Sequence, residues 1–165
     1  MNIEELDQLR AAVAASPENL PIRKLYANAL LRHKKYEEAE VAFKDILRLA
    51  PADTSLKIGL ATAFYHLSKI APGLVIMEEV VKQTTPPATA WMTYAKLLLK
   101  AGESANARDA YEKAIIINPS LTDAFFASEL NLSQQKNNTH DRRNAYRKRH
   151  YENRILRKRY AYCRC

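Results

Sequence analysis

A period of 34 residues is the feature of this sequence that most limits the folds open to it. Three columns of apolar residues keep this spacing: Leu9, Phe43, Met77 and Tyr111; Ala12, Ile46, Val80 and Ala114; and Val13, Leu47, Val81 and Ile115. Prolines follow nearly the same spacing, at Pro17, Pro51, Pro86 and Pro119. A period of this length is typical of arrays in which each unit is one supersecondary element and neighbouring units share a continuous core. We therefore expect a stacked array of repeats.

Each unit of the period predicts a pair of helices. Small residues recur in both halves of the unit, at Ala27, Ala61 and Ala95 in the first half and at Ala39, Gly73 and Ala107 in the second. Larger apolar residues at i, i+3 and i+4 offsets predict one buried face per helix, and they include Leu30, Phe64, Leu98 and the adjacent pair Leu25/Tyr26. Proline ends one pair and starts the next because it cannot continue a helix. With only three glycines among 165 residues, the chain is predicted to be all-α.

These units resemble the tetratricopeptide repeat family. The third unit matches the family pattern best, at Trp91, Ala95, Gly102, Ala107, Tyr111, Ala114 and Pro119. The first unit matches at Ala27, Tyr36, Ala39, Phe43 and Pro51. The second unit diverges most, with Pro72 and Gly73 at the start of its second helix and Thr85 where the closing proline is expected. The resemblance implies a right-handed superhelical solenoid of antiparallel helix-turn-helix repeats, with a concave groove lined by the first helix of each unit.

The repeats also predict the domain organisation. We expect one repeat domain over residues 1–135, followed by a basic tail over residues 136–165. Within the domain the predicted elements are an N-terminal cap helix at 3–15, repeats at about 20–53, 54–87 and 88–121, and a C-terminal helix at 122–133. The chain is expected to be either a whole scaffold or the N-terminal module of a larger protein.

The groove implied by the resemblance supplies the candidate binding residues. They are the side chains on the first helices that lie opposite the core columns: Lys24, Asn28, Arg32, Thr62, Tyr65, His66, Met92, Lys96, Lys100 and Phe126. An apolar and aromatic floor with basic groups suits a peptide or protein partner that has apolar anchors and, in one hypothesis, acidic residues. The alternative is that these lysines and arginines form an ordinary solvated helix face. The predicted function is an interaction scaffold or adaptor.

One specific ligand can be weighed from the resemblance. Some relatives hold the C-terminal Glu-Glu-Val-Asp tail of a chaperone in a carboxylate clamp, and Lys24 and Asn28 match the clamp residues of its first repeat. Gly59 stands where a second asparagine is expected, and Thr89 and Thr93 stand where a lysine and an arginine are expected. We therefore do not expect this chain to form the clamp.

The excess positive charge is concentrated in the tail. Residues 1–135 hold 15 Lys/Arg against 16 Asp/Glu, whereas residues 136–165 hold 11 against 2, together with four tyrosines. Three interpretations remain open. The tail binds nucleic acid through phosphate contacts and base stacking, or it forms a basic amphipathic helix on a membrane or partner, or it has no function of its own. Nucleic-acid binding is the alternative function for the chain.

The sequence shows no motif typical of an enzyme, a cofactor-binding protein or a metal site. The four histidines lack a nucleophile or ligand at useful spacing, and no phosphate-binding loop or zinc motif occurs, so we expect no enzyme, no cofactor and no metal. Both cysteines lie in the last three residues. Neither a signal peptide nor a membrane span is predicted, and a cytoplasmic location is expected. Self-association through Phe125, Phe126 and Leu130 is a further possible interaction.

Overall fold

The structure is a computed structural model, and it describes residues 3–131, with side chains from residue 4 onwards. Up to residue 122, seven α-helices and one short 3-10 helix follow one another: α1 Ile3–Ala15, α2 Leu20–Arg32, α3 Tyr36–Leu49, α4 Thr54–His66, α5 Ile70–Val81, α6 Ala88–Lys100, α7 Ser104–Ile117 and the 3-10 turn Pro119–Leu121. The chain divides into two compact units, Met1–Thr122 and Asp123–Cys165, which are treated separately below.

The turn between the two helices of each repeat is built in the same way three times. The second residue after the first helix has a positive φ angle in each case: 59° at Lys34, 57° at Ser68 and 86° at Gly102. The next backbone N–H then donates to a carbonyl five residues earlier, at 2.9 Å in all three turns. This left-handed residue with its backward hydrogen bond is a helix C-terminal cap, and it reverses the chain direction. Only Gly102 adopts that conformation without a steric cost.

The starts of α2 and α4 have side-chain caps at the 34-residue spacing. The Asn19 carboxamide accepts a hydrogen bond from the Ile22 backbone N–H at 3.2 Å. The Asp53 carboxylate accepts from the backbone N–H groups of Ser55 and Leu56, at 2.9 and 3.2 Å. Such caps satisfy N–H groups that lack a partner within the helix, and each contributes about 1 kcal/mol. At the start of α6 the same position is Pro87, which makes no side-chain cap.

The predicted columns of small residues are buried. Ala27, Ala61 and Ala95 have no exposed surface, and neither have Ala39 and Ala107. The larger residues around them are also buried, namely Leu30, Phe43, Phe64, Met77 and Leu98. Small side chains at these sites let the paired helices approach closely, so the bulky residues fill the space between them. Of the pair Leu25/Tyr26, only Tyr26 packs against the apolar cluster, whereas Leu25 is 51% exposed.

Successive helices of the first unit pack against one another in chain order, which confirms the stacked helix-turn-helix repeats. The first helices also contact each other, α2 with α4 and α4 with α6. Within the described residues no contact of similar extent joins α3 to α5 or α5 to α7. The first helices therefore lie closer together than the second helices. This difference in spacing makes the side formed by α2, α4 and α6 the inner side of a solenoid.

The second unit begins with a helix that includes residues 124–131. Asp123 caps it, since its carboxylate accepts from the Phe126 backbone N–H at 3.0 Å. Phe126 and Leu130 are buried, at 4% and 2% exposure, whereas Phe125 is 72% exposed. Of the three residues considered for self-association, only Phe125 thus has a large exposed surface. The end of the C-terminal helix predicted at 122–133, the domain boundary at 135, and the basic tail with its nucleic-acid hypothesis lie outside the described residues.

Candidate functional site

The part of the candidate site on α2 is tied to neighbouring elements. The Lys24 ammonium donates to the Asp53 carboxylate across the junction between the first and second repeats. Asn28 donates from its side-chain amide to the Lys24 carbonyl at 2.9 Å. Arg32 pairs with Glu5 on α1 at 2.6 Å, and this contact lowers the pKa of Glu5. Two of the three predicted α2 residues, Lys24 and Arg32, therefore form ion pairs with residues outside α2.

Asp53 has a double role that explains why Lys24 is held. The hydrogen bond from Lys24, followed by that from Ser55, lowers the pKa of Asp53 to about 2. The same carboxylate caps α4, so a single negative group both starts one helix and anchors a lysine from another. The helix dipole also favours a negative charge at this end of α4. Lys24 consequently stabilises the stacking of repeats, and its ammonium is already neutralised.

The C-terminal end of α4 presents aromatic rings. The His66 ring stacks on the Tyr36 ring from the start of α3, with centroids 4.2 Å apart and planes 6° from parallel. Tyr65 meets His66 edge to face, with centroids 5.1 Å apart. Thr62, one turn earlier, donates its hydroxyl to the Ile58 carbonyl at 2.8 Å. The helix end thus forms a rigid aromatic surface around one titratable ring.

Lysines from two other elements surround this aromatic surface. The Lys100 ammonium on α6 lies 5.3 Å from the centroid of the Tyr65 ring, which is a cation–π contact. Burial, followed by the positive charges of Lys96, Lys100 and Lys34, lowers the pKa of His66. His66 is therefore mainly neutral at pH 7 in the free protein.

The structure brings some of the predicted site residues together and leaves others apart. Tyr65, His66, Lys96 and Lys100 lie in one region, to which Lys34 and Tyr36 also belong. We call these six residues the basic–aromatic cluster. Lys24, Asn28, Arg32 and Thr62 have the separate contacts described above. Met92 and Phe126 are buried, at 8% and 4% exposure, and offer little surface to a ligand.

Three residues of this surface were missed by sequence reasoning. Leu25 is an exposed apolar side chain on the face of α2 that also contains Asn28 and Arg32, at i+3 and i+7. Lys34 and Tyr36 lie in and just after the turn between α2 and α3. The family match marked Tyr36 as a repeat residue but gave no sign that it meets His66, 30 residues later. The positive φ of Lys34 was likewise concealed, since lysine is not a usual residue for that conformation.

The positions of the carboxylate clamp are differently occupied. Gly59 is buried, and a Cβ atom placed on it would lie 2.5 Å from Cε1 of the Phe43 ring. An asparagine at position 59 would therefore require the Phe43 ring to move. Thr93 donates its hydroxyl to the Thr89 carbonyl at 2.9 Å and brings no positive charge. The packing against Phe43 adds a steric reason to the sequence argument against the clamp.

Other kinds of site are absent from the part of the chain that the structure describes. There, no three His, Cys, Asp or Glu side chains are grouped so that they could hold a metal ion. None of the helices in residues 3–131 is long and apolar enough to cross a membrane. An open pocket with a volume of about 370 Å³ lies between α1, α2 and α3 and is lined by Val13, Tyr26 and Leu30 among others.

Paired helices stacked in register, with a shared inner face, define a helical repeat protein of the class that serves as a scaffold for protein–protein interactions. Two tetratricopeptide repeat models match the sequence, one over residues 6–63 and one over residues 58–121. The chain belongs to the tetratricopeptide repeat family. A comparison with curated protein sequences finds no match.

Solved structures share the fold at low sequence identity. A tetratricopeptide repeat protein from Parabacteroides merdae is 19% identical with a TM-score of 0.65, over 78% of this chain and 50% of that one, so the present chain spans half the length of that protein. The first repeat domain of human RPAP3 is 18% identical with a TM-score of 0.64, over 77% and 98% of the two chains. The first repeat domain of Spaghetti (RPAP3), solved with the HSP90 peptide SRMEEVD, is 18% identical with a TM-score of 0.62, over 72% and 93%.

Proposed function

We propose that this chain binds a segment of a partner protein along the inner face formed by α2, α4 and α6. The observation that supports the proposal most directly is the makeup of that face. It combines an exposed leucine, Leu25, with stacked aromatic rings and with lysines that have no carboxylate within ion-pair distance among the described residues. Exposed apolar and aromatic groups supply contact area, and lysines steer acidic segments by charge.

The partner segment has an apolar anchor and acidic residues, and it differs from a chaperone tail held by a clamp. The RPAP3 domain with its HSP90 peptide supports an extended peptide as the type of ligand. In this chain Gly59, Thr89 and Thr93 replace the expected clamp groups, and Lys24 is neutralised by Asp53. The positive charge that is available to a ligand lies instead at Lys96 and Lys100.

The scaffold acts without catalysis and as an adaptor in the cytoplasm. The repeat fold is typically non-catalytic, and its function depends on the side chains displayed on the inner face. The P. merdae protein is twice as long as the matched region, which supports a role for this chain as one module of a larger assembly.

Site-specific photo-crosslinking in cell extract tests the proposal. A benzophenone amino acid is placed in the full chain at Leu25 on α2 or at the exposed Thr89 on α6, outside the basic–aromatic cluster. The matched control places it at Val75, which is 69% exposed on the second helix α5. We expect the same partner protein to be captured from Leu25 and Thr89 and not from Val75. Capture from Val75 alone, or equally from all three positions, would refute the inner face as the binding site.

A further inference from the structure

The basic–aromatic cluster holds more positive charge than its surroundings offset. Lys34, Lys96 and Lys100 have no carboxylate oxygen within 4 Å in the described part of the chain. By contrast, Lys24, Lys35, Lys44, Lys57 and Lys69 each pair with an Asp or Glu. Three lysines without such a partner thus lie near one histidine, whereas the other two in the described residues, Lys82 and Lys113, lie elsewhere on the repeats.

This arrangement has a cost to the free protein. Lys96 and Lys100 are four residues apart on α6, and like charges at that spacing destabilise a helix. Lys34 takes a left-handed backbone conformation that is unfavourable for a residue other than glycine. The dipole of α6 favours Lys100 at its C-terminal end, but Lys96 lies a full turn earlier, where that effect has declined. A bound anion would offset the mutual repulsion of these lysines.

The geometry also limits the kind of anion. The lysines come from the α2–α3 turn and from α6, and all three are close enough to His66 to affect its charge, with Lys100 in contact with the neighbouring Tyr65 ring. Lys96 and Lys100 lie one and two turns beyond Thr93, and hence away from the clamp positions at Thr89 and Thr93. Three ammonium groups around a histidine suit a compact group with two or more negative oxygens.

We propose that the basic–aromatic cluster is a binding site for a compact anion on the partner segment, either a phosphate group or closely spaced carboxylates. The inference rests on the proposed binding of a partner along the inner face, and it assigns the anionic contact to one end of that face. His66 adds a second feature. Its ring is neutral because it is partly buried among the positive charges of Lys34, Lys96 and Lys100.

An anion would reverse the electrostatic environment of His66. With the lysine charges balanced, the imidazolium becomes more stable and the pKa of His66 rises. By linkage, an anion that raises the pKa of His66 is itself bound more tightly when His66 is protonated. Binding of carboxylates, which stay ionised in this range, is therefore expected to strengthen as the pH falls from about 7.5 to about 6. A phosphate group takes up its own second proton near pH 6, which opposes the gain from His66.

The test uses inorganic phosphate and the full chain in solution, followed by NMR of the His66 ring at constant ionic strength. We expect saturable shifts of the His66 resonances and a higher His66 pKa in phosphate than in chloride. Lys96→Ala/Lys100→Ala is expected to weaken phosphate binding by about tenfold or more, since two charge-assisted contacts are removed. The charge-matched control is Lys82→Ala/Lys113→Ala, just after α5 and on α7, which should leave binding unchanged. Circular dichroism checks that both variants fold.

Two results would overturn the proposal. One is equal phosphate affinity in the two double variants, and the other is a His66 pKa that phosphate does not raise. Two peptides of equal length, one with phosphoserine and one with four consecutive glutamates, then distinguish the source of the anion. If neither peptide competes with phosphate, the cluster is not a contact for a partner segment. Because the phosphate titration needs no partner and the crosslinking needs no anion, failure of one is separable from failure of the other.

Discussion

Replacing Gly59 by alanine tests the packing between α3 and α4. Helix propensity alone predicts that this change in the middle of α4 stabilises the protein by about 1 kcal/mol. The structure predicts the opposite sign. A Cβ atom at this position would lie 2.5 and 3.1 Å from Cε1 and Cε2 of the Phe43 ring. Non-bonded carbon atoms normally stay about 3.5 to 4.0 Å apart, and Phe43 has no exposed surface into which it could turn.

The expected magnitude follows from the two opposing effects. Inserting a methyl group into a packed core costs about 1 to 3 kcal/mol. After subtraction of the propensity gain, Gly59→Ala should lower the free energy of unfolding by about 1 kcal/mol, and by no more than about 2 kcal/mol. Urea denaturation followed by circular dichroism at pH 7 measures this difference directly.

A double-mutant cycle identifies Phe43 as the cause. Phe43→Leu removes ring atoms near position 59 and leaves a cavity that the new methyl group can partly fill. In that background Gly59→Ala should be neutral or stabilising, which gives a coupling free energy of about 1 kcal/mol or more. If Gly59→Ala instead stabilises the wild-type protein by about 1 kcal/mol, the contact between Gly59 and Phe43 is misjudged.

Three further predictions concern charged groups. Asp53→Asn keeps the helix cap but loses the ion pair with Lys24, and it should lower the free energy of unfolding by about 0.5 to 1 kcal/mol. Asp53→Ala also loses the cap and should lower it by about 1 kcal/mol more. Urea denaturation measures both differences. Because the pKa of Asp53 is depressed to about 2, its stabilisation is present above about pH 4 and is lost as the pH falls towards 2, and the Asn variant should lack this slope. Glu40→Gln removes a largely buried carboxylate that bridges to Lys69 at 2.7 Å and should cost about 1 to 2 kcal/mol by the same measurement. The lowered pKa of His66 means that its imidazole takes up a proton more readily in the unfolded chain than in the folded protein. The free energy of unfolding should therefore decrease as the pH falls through 6.5, and His66→Gln should make this decrease smaller.

The fold was largely predictable because two independent periods coincide in the sequence. Helical spacing indicates which face of each helix is apolar, and the 34-residue columns indicate which helices repeat. The columns of small residues proved buried, including Ala61 and Ala95. Pro72 also lies in the first turn of α5, where proline is tolerated, as predicted. The pair Leu25/Tyr26 stayed undivided in the sequence, because the two apolar residues are adjacent and periodicity alone does not decide which of them faces the core.

The candidate site was less predictable, since contacts between repeats decide it. The sequence placed Lys24 among the groups available to a ligand, but its partner Asp53 is 29 residues away. That pairing depends on the angle between successive repeats, which no local pattern encodes. Lys96 and Lys100 were predicted by their helical spacing. Their position near Tyr65 and His66 depends on the packing of α6 against α4, which local spacing does not encode.

Core packing and ligand chemistry are linked at Gly59. This glycine lets the Phe43 ring fill the space between α3 and α4, so the position cannot also hold the asparagine that the clamp would need. Gly59→Asn would supply a clamp group but would destabilise the fold unless position 43 held a smaller side chain. Thr89 and Thr93 would still carry no positive charge. The positive charge left without a partner lies one and two turns further along α6, at Lys96 and Lys100. Under the proposed anion site, the same fold would place its anionic contact further along α6 while the core residues stay in register.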